Sequence, residues 1–339
     1  MRILLTGGTG DVGVATVRRL MDHGHDVTVL GRRPANALKP GEIPPEGAGY
    51  VQGDVEDYTA VRTAMTGHDT VVHLAAIRAP LGVPGRDVFR VNTSGTFNVF
   101  EAAAECGISR VVTASSINAF GYFFGDHSFP LRYLPVDEAH AGVQTDAYSF
   151  SKIVLERIGE YFWERDGISS VALRLPAVLP HDGERDWIKN PGWFREMADE
   201  ILGAGDESRL ARVERMTKGY DEFRSAHRLE YADDHLERGE LPPNITKDEL
   251  QFMSRQANFF TWIDEIDSAQ SIELGLTAEY TGAHALYVNS RHNSLRLPVE
   301  EIAKLYWPPV PEIRPQTKGD DCVVSIDRAR ELIGFDPEY

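Results

Sequence analysis

Short apolar runs rich in β-branched residues alternate with stretches of helical spacing along the first half of the chain. A strand expected from Arg2 to Leu5 leads into an amphipathic stretch from Val12 to Met21. Val27 to Leu30 and Tyr50-Val51 read as the next strands. Thr70 to Ala75 is a near-continuous apolar strand, Val91 to Ala104 a helix, and Arg110 to Thr113 another buried strand. Ala147 to Trp163 is helical, and Ser170 to Arg174 returns to strand. Strands apolar on both faces and separated by helices predict a parallel sheet covered on both sides, an α/β fold.

After Pro180 the texture changes. Residues 181 to about 258 carry many charges at helical spacing and few strand signals. Acids and bases are interspersed from Arg209 to Arg238, which reads as a solvated helical lobe and not as a nucleic-acid patch. The α/β texture then returns: Phe259 to Asp264 precedes a helix, Ala285 to Asn289 reads as strand, and Ile326 to Phe335 as a short helix stopped by Gly334.

At 339 residues, with 42% hydrophobic and 26% charged residues, the composition is that of a globular protein of one large or two smaller domains. A net charge of −17 repels phosphate backbones and anionic membranes, so neither nucleic acid nor a membrane surface is expected as partner. Cys106 and Cys322 are far apart and form no disulfide framework; Cys106 is expected as a buried helix-end thiol. No apolar run has the length of a membrane span, and the chain opens directly on a strand, so a cytoplasmic location without a signal peptide is expected. His68 and His73 have no second ligand at a suitable spacing, and no metal site is expected.

Thr6-Gly7-Gly8-Thr9-Gly10-Asp11-Val12-Gly13 sits between the first strand and the first helix. Glycines there let the backbone turn tightly and approach a pyrophosphate, while the helix start offers free N–H groups. Gly8, Gly10 and Gly13 fit one glycine spacing; Gly7, Gly10 and Gly13 fit another equally well. The second strand ends in Leu30-Gly31-Arg32-Arg33, with no acid to accept from ribose hydroxyls. Two guanidinium groups suit a 2′-phosphate, which favours NADP over NAD, unless Arg32 and Arg33 merely face solvent. Asp54 either accepts from an adenine amino group or caps the following helix.

Tyr148 and Lys152 lie one helical turn apart and share a face. An ammonium and an oxidised nicotinamide both favour a phenolate, which would let Tyr148 act as general acid and base while hydride moves. Ser116, at the end of a buried strand, can hydrogen-bond the reacting oxygen.

On these motifs the chain resembles the extended short-chain dehydrogenase/reductases, the group that contains the NAD-dependent sugar epimerases and dehydratases. The opening loop, His73-Leu74-Ala75-Ala76, Asn92 to Val99 and Ser115 to Gly121 are similar to that family's motifs, as are Phe260 to Asp267 and Asp327 to Pro337. The resemblance implies a Rossmann-type doubly wound parallel sheet with a smaller, mostly helical substrate domain. The expected division is 1–176 with 259–290 for the dinucleotide-binding domain, and 177–258 with 291–339 for the substrate domain. It implies Ser116, Tyr148 and Lys152 as catalytic residues. It implies cofactor contacts from Gly7, Gly10, Asp11, Val12, Gly13, Arg32, Arg33, Asp54, Val55, Leu74, Ala75, Ala76, Asn92, Tyr148, Lys152 and Leu175. A homodimer through a four-helix contact that includes the Tyr148 helix is also implied.

Departures from the family pattern narrow the chemistry. Ala177 stands where many sugar-nucleotide epimerases have Asn, Thr317-Lys318-Gly319-Asp320 replaces a diphosphate-holding Arg-x-Gly-Asp, with Arg314 displaced, and Ile117-Asn118 replaces the Asp-Glu of dehydratases. Dehydration and a nucleotide-sugar substrate are therefore disfavoured. The expected function is an NAD(P)-dependent oxidoreductase or epimerase acting on a secondary alcohol or ketone of a sugar or sugar derivative. The alternatives are a redox-neutral sugar-nucleotide 4-epimerase and a non-catalytic cofactor-sensing regulator.

Overall fold

A computed structural model describes residues 1–183, 191–226 and 240–339. The strands in chain order are β1 (Arg2–Thr6), β2 (Asp26–Gly31), β3 (Gly49–Gln52), β4 (Thr70–His73), β5 (Arg110–Ala114), β6 (Tyr133–Leu134), β7 (Ser169–Arg174), β8 (Ala177–Leu179), β9 (Trp262–Asp264), β10 (Ala283–Tyr287) and β11 (Glu312–Ile313). The helices are α1 (Asp11–Asp22), α2 (Tyr58–Met65), α3 (Gly85–Glu105), α4 (Ala147–Asp166), α5 (Gly192–Gly203), α6 (Asp206–Ala226), α7 (Lys247–Ser254), α8 (Glu265–Thr277), α9 (Val299–Tyr306) and α10 (Asp327–Ile333).

Seven strands form one parallel sheet in the order β3-β2-β1-β4-β5-β7-β10. The winding reverses between β1 and β4, which opens a crevice at the carboxyl ends of those strands. Register fixes what meets there. Thr6 pairs with both Leu30 and His73, and His73 pairs with Thr113, so the turns after β1, β2, β4 and β5 emerge along one edge. Every residue of β4 and β7 is buried, as expected for strands covered on both faces. One core lies under α1, α8 and α10 and another under α2 and α3.

A third core joins the remaining elements. It takes Ile117 to Val136 from the loop after β5, residues of α5, α6 and α7, and the segment around α9. The packing of the cores cuts across the expected division. Apolar residues between 117 and 136, and Phe259, Phe260 and Tyr287, are buried with the lobe, while Ile326, Ala329 and Ile333 of the tail pack against the sheet. Periodicity along the chain reports each element's apolar face but not the partner that covers it.

The charged stretch expected to be solvated is amphipathic. Within α6, Val213, Met216, Tyr220 and Phe223 recur at helical spacing and are buried, and residues 227–238 of the expected stretch lie outside the described residues. Arg224, on the same helix, is also buried: its side chain is 1% exposed. Its Nη1 donates to the Tyr122 carbonyl at 2.9 Å, and its Nη2 donates to Ser128 Oγ at 2.9 Å and Asp221 Oδ1 at 2.6 Å. The interspersed charges hid this stripe from a reading by charge pattern.

Phe259 to Asp264 precedes α8 as expected; its strand part is Trp262–Asp264, because Asn258, Phe259 and Phe260 take left-handed backbone angles that turn both phenylalanines into the lobe core. One smaller expectation changes. Cys106 caps the end of α3 and is half-buried. No described helix is long and apolar enough to cross a membrane.

Arg224→Leu takes a donor from the carbonyls of Tyr122 and Phe123, from Ser128 Oγ and from the Asp221 carboxylate, so it should lower stability by about 3 kcal/mol in urea denaturation. Lys218→Leu, on the outer face of α6, should leave the midpoint unchanged. A loss under about 1 kcal/mol for Arg224→Leu would mean that α6 does not depend on this anchor.

Candidate active site

The turn between β1 and α1 is built from backbone contacts too close for side chains. Gly7 has φ +76°, and a Cβ there would stand 2.7 Å from the Ala75 nitrogen. At Gly13 a Cβ would stand 2.3 Å from the Gly7 carbonyl oxygen. Gly10 differs, since its nearest neighbour would be Gly7 O at 3.6 Å; a side chain there would occupy the cleft instead. No side chain caps α1 at Gly10, so the first-turn N–H groups are left for a ligand.

Gly7 and Gly10 form one end of a cleft of about 630 Å³. Gly7, Gly10, Asp11, Arg32, Arg33, Asp54, Val55, Leu74, Ala75 and Ala76 all line it. The uncapped helix start and the glycine wall fit a dinucleotide pyrophosphate, and the cleft continues past the ends of β2 and β3, where an adenosine would lie. Val12, Gly13, Asn92, Tyr148, Lys152 and Leu175 are not on the wall. Gly13 lets α1 approach, and the Leu175 carbonyl accepts from Ile117 N at 3.0 Å, fixing the turn after Ser116. Asn92 is buried and clamps the loop after β4. Its Oδ1 accepts from Ile77 N at 2.8 Å, and its Nδ2 donates to Ile77 O at 3.1 Å and to Ser151 Oγ at 3.0 Å.

The two arginines after β2 have different surroundings. Arg33 pairs with Glu42 at 2.9 Å, whereas no described residue pairs with the exposed guanidinium of Arg32. Glu42 lines the same cleft and was not foreseen, because it reaches the end of β2 from a separate short helical turn. The helix-capping alternative for Asp54 falls to Asp57, whose carboxylate accepts from Ala60 N at 3.1 Å. Asp54 instead accepts from Glu56 N at 3.0 Å and keeps its place on the cleft wall.

Asp146 starts α4 by accepting from Ser149 N at 2.8 Å, which sets Tyr148 in the first turn and Lys152 one turn deeper. Both are buried, at 6% and 3% exposure. Burial pushes the Tyr148 phenol up to about 12, partly opposed by the Ser116 hydroxyl and by the charge of Arg78. Burial pushes the Lys152 ammonium down to about 8, opposed by the Glu156 carboxylate. Lys152 Nζ donates to the Ala114 carbonyl at 2.8 Å and stands 5.6 Å from the Tyr148 ring centroid. Ser116 and Arg78 are thus further groups that favour the phenolate, beside the ammonium expected from the sequence. Phe124 meets the Tyr148 ring edge-on at 5.6 Å.

Two buried networks hold this set. Ser115 Oγ donates to Glu156 Oε1 at 2.7 Å, and Arg174 grips the same carboxylate at 2.9 and 2.8 Å. Thr96 Oγ1 donates to Asn92 O, so His73 Nε2 must carry a proton to donate to Thr96 at 3.1 Å. Its Nδ1 then accepts from Thr6 Oγ1 at 2.7 Å, and Thr6 accepts from Ala75 N at 3.2 Å. His73 is neutral, with its ring held down to about 3 by burial and by Lys152. No cluster of three metal-binding side chains occurs among the described residues. Arg78 pairs with Asp11 at 2.9 Å across the cleft mouth. Neither its pairing nor its effect on Tyr148 has a signal in sequence spacing.

Comparison with known proteins agrees with this geometry. The chain is 36% identical over 191 residues to the L-arabinose 1-dehydrogenase (NAD(P)(+)) of Haloferax volcanii, spanning 55% of this chain and 70% of that protein. It is 32% identical over 202 residues to the NAD-dependent glucose-6-phosphate dehydrogenase of the same organism, spanning 58% and 76%. In fold it is similar to the UDP-glucose 4-epimerase of Thermotoga maritima, with a TM-score of 0.60, 16% identity and coverage of 100% and 94%. A short-chain dehydrogenase/reductase superfamily protein of Agrobacterium tumefaciens gives a TM-score of 0.60 at 21% identity, with coverage of 100% and 93%. Residues 3–208 match the NAD dependent epimerase/dehydratase family, and the chain belongs to that family.

Proposed function

We propose that the protein is an NAD(P)-dependent dehydrogenase that interconverts a secondary alcohol and a ketone or lactone-level carbonyl on a sugar or sugar derivative. The observation that carries this reading is the buried Ser116, Tyr148 and Lys152 set beside the glycine-lined cleft, near enough that Arg78 on the cleft wall acts on Tyr148. The curated relatives named above act on simple sugars, and the departures at Ala177 and Thr317 to Asp320 weigh against a nucleotide sugar.

When bound, the nicotinamide supplies the acceptor or donor of hydride. The chain's own residues handle the proton. In oxidation the substrate hydroxyl gives its proton to Tyr148 Oη as the C–H electron pair leaves, and Ser116 Oγ orients the same oxygen. In reduction Tyr148 returns that proton. To Lys152, which donates to the Ala114 carbonyl, this reading assigns the hold on a ribose hydroxyl. Arg32 supports acceptance of NADP, while the Arg33 to Glu42 pair supports acceptance of NAD, so both cofactors are expected to work. Phe97, Phe150 and Tyr161 are large exposed aromatics on α3 and α4, which supports a homodimer through those helices.

Incubation with NAD or NADP and a panel of aldoses, uronates and sugar phosphates should give net reduced cofactor with at least one of them. UDP-sugar interconversion without net reduced cofactor would overturn this reading in favour of a redox-neutral epimerase. Tyr148→Phe should lower kcat by roughly 100- to 10,000-fold with cofactor binding kept. Unchanged activity would point to a sensor. Because a Ser116 hydrogen bond favours the phenolate, Ser116→Ala should move the rising limb of the oxidation rate to higher pH. A limb that stays in place would assign the proton to another group. Phe97→Glu with Phe150→Glu should halve the solution mass measured by light scattering.

A further inference from the structure

We propose that Glu42 sets the cofactor selectivity of the cleft: by occupying Arg33 it keeps the 2′-position open to both the hydroxyl and the phosphate form of the nucleotide. This inference rests on the reading of the cleft as a dinucleotide site. The usual arrangement places an acid at the end of the second strand, where it accepts from ribose hydroxyls. Here that position is Arg32, but the short helical turn Pro40–Glu42 returns an acid to the same wall.

Glu42 is held in place. Its Oε2 accepts from Lys39 N at 2.8 Å and pairs with Arg33 Nη1 at 2.9 Å. No described residue donates to its Oε1, which is left to accept from a ribose hydroxyl. Arg33 is itself fixed through its carbonyl, which accepts from Tyr50 Oη at 2.6 Å, so the pair sits on a firm strand end. A ribose with a free 2′-hydroxyl gains an acceptor from Glu42. A 2′-phosphate meets that carboxylate as a like charge and finds only Arg32 uncommitted. Removing the carboxylate frees Arg33, and two guanidinium groups can then grip the phosphate from adjacent positions.

The test is equilibrium binding of NAD and NADP by calorimetry, with no turnover required. The wild type should bind both within about tenfold of each other. Glu42→Gln should raise the preference for NADP over NAD by roughly tenfold or more, the effect of one close charge at a partly screened site. Adding Arg33→Met to that variant should cancel the gain. An unchanged ratio in Glu42→Gln, or a gain that survives Arg33→Met, overturns the role of Glu42. If the wild type binds neither nucleotide, the reading of the cleft fails and this proposal fails with it. Glu42 and Arg33 are on the surface, so both variants are expected to fold, which thermal unfolding verifies.

Discussion

The site depends on one contact, the meeting of the α1 start with the ends of β1 and β4 through bare backbone. Side chains at Gly7 or Gly13 would fall within 2.7 Å or less of main-chain atoms. Either would push α1 off the sheet, and the uncapped N–H groups would no longer point at the crevice where the winding reverses. The contact is braced from inside by the chain of hydrogen bonds from Ala75 through Thr6 and His73 to Thr96. That chain works only with a neutral imidazole, which complete burial ensures. The glycines thus determine where a phosphate can sit, and the buried polar chain keeps the opposite wall in register.

The same physics explains which parts of the structure could be read from sequence. Strands covered on both faces show as continuous apolar runs, so six of the seven sheet strands were legible within a residue or two, and Tyr50-Val51 marked the seventh, β3. The glycine turn and the Tyr148 to Lys152 spacing are local and were equally visible. What was not visible is long-range. Glu42 comes to the end of β2 only because a short turn folds back onto the strand. Arg78 affects Tyr148 from a loop with no periodicity at all. The inward face of α6 was masked because charge at the intervening positions resembles a solvated helix unless the apolar stripe is weighed separately. Asp54 offered itself as a cap by sequence, and the geometry gives that role to Asp57.

Burial shifts Tyr148 and Lys152 in opposite directions and thereby defines the resting site. It raises Tyr148 to about 12 and lowers Lys152 to about 8, so each is driven toward its neutral form. A cation is nevertheless retained one turn above Glu156, whose carboxylate is buried with Arg174 and Ser115. An isolated carboxylate there would be strongly unfavourable; with a bidentate guanidinium and a hydroxyl it is fully satisfied. The structure therefore places one compensated negative charge where it sustains the Lys152 ammonium without reaching Tyr148. This division leaves the phenol free to respond to Ser116, to Arg78 and to whatever charge the cleft admits.

The surroundings of Tyr148 rest on the part of the chain least determined by local pattern. The segment Tyr122 to Phe124 joins the sheet side to the lobe: Phe124 meets the Tyr148 ring, and the carbonyl of Tyr122 is held by Arg224 from α6. Tyr122 itself is packed in the lobe core against Phe129 and Phe259. The sheet and α4 fix Ser116, Tyr148 and Lys152, whereas the residue that covers the Tyr148 ring is held from the lobe, through a guanidinium whose partners are all long-range or one turn away on α6.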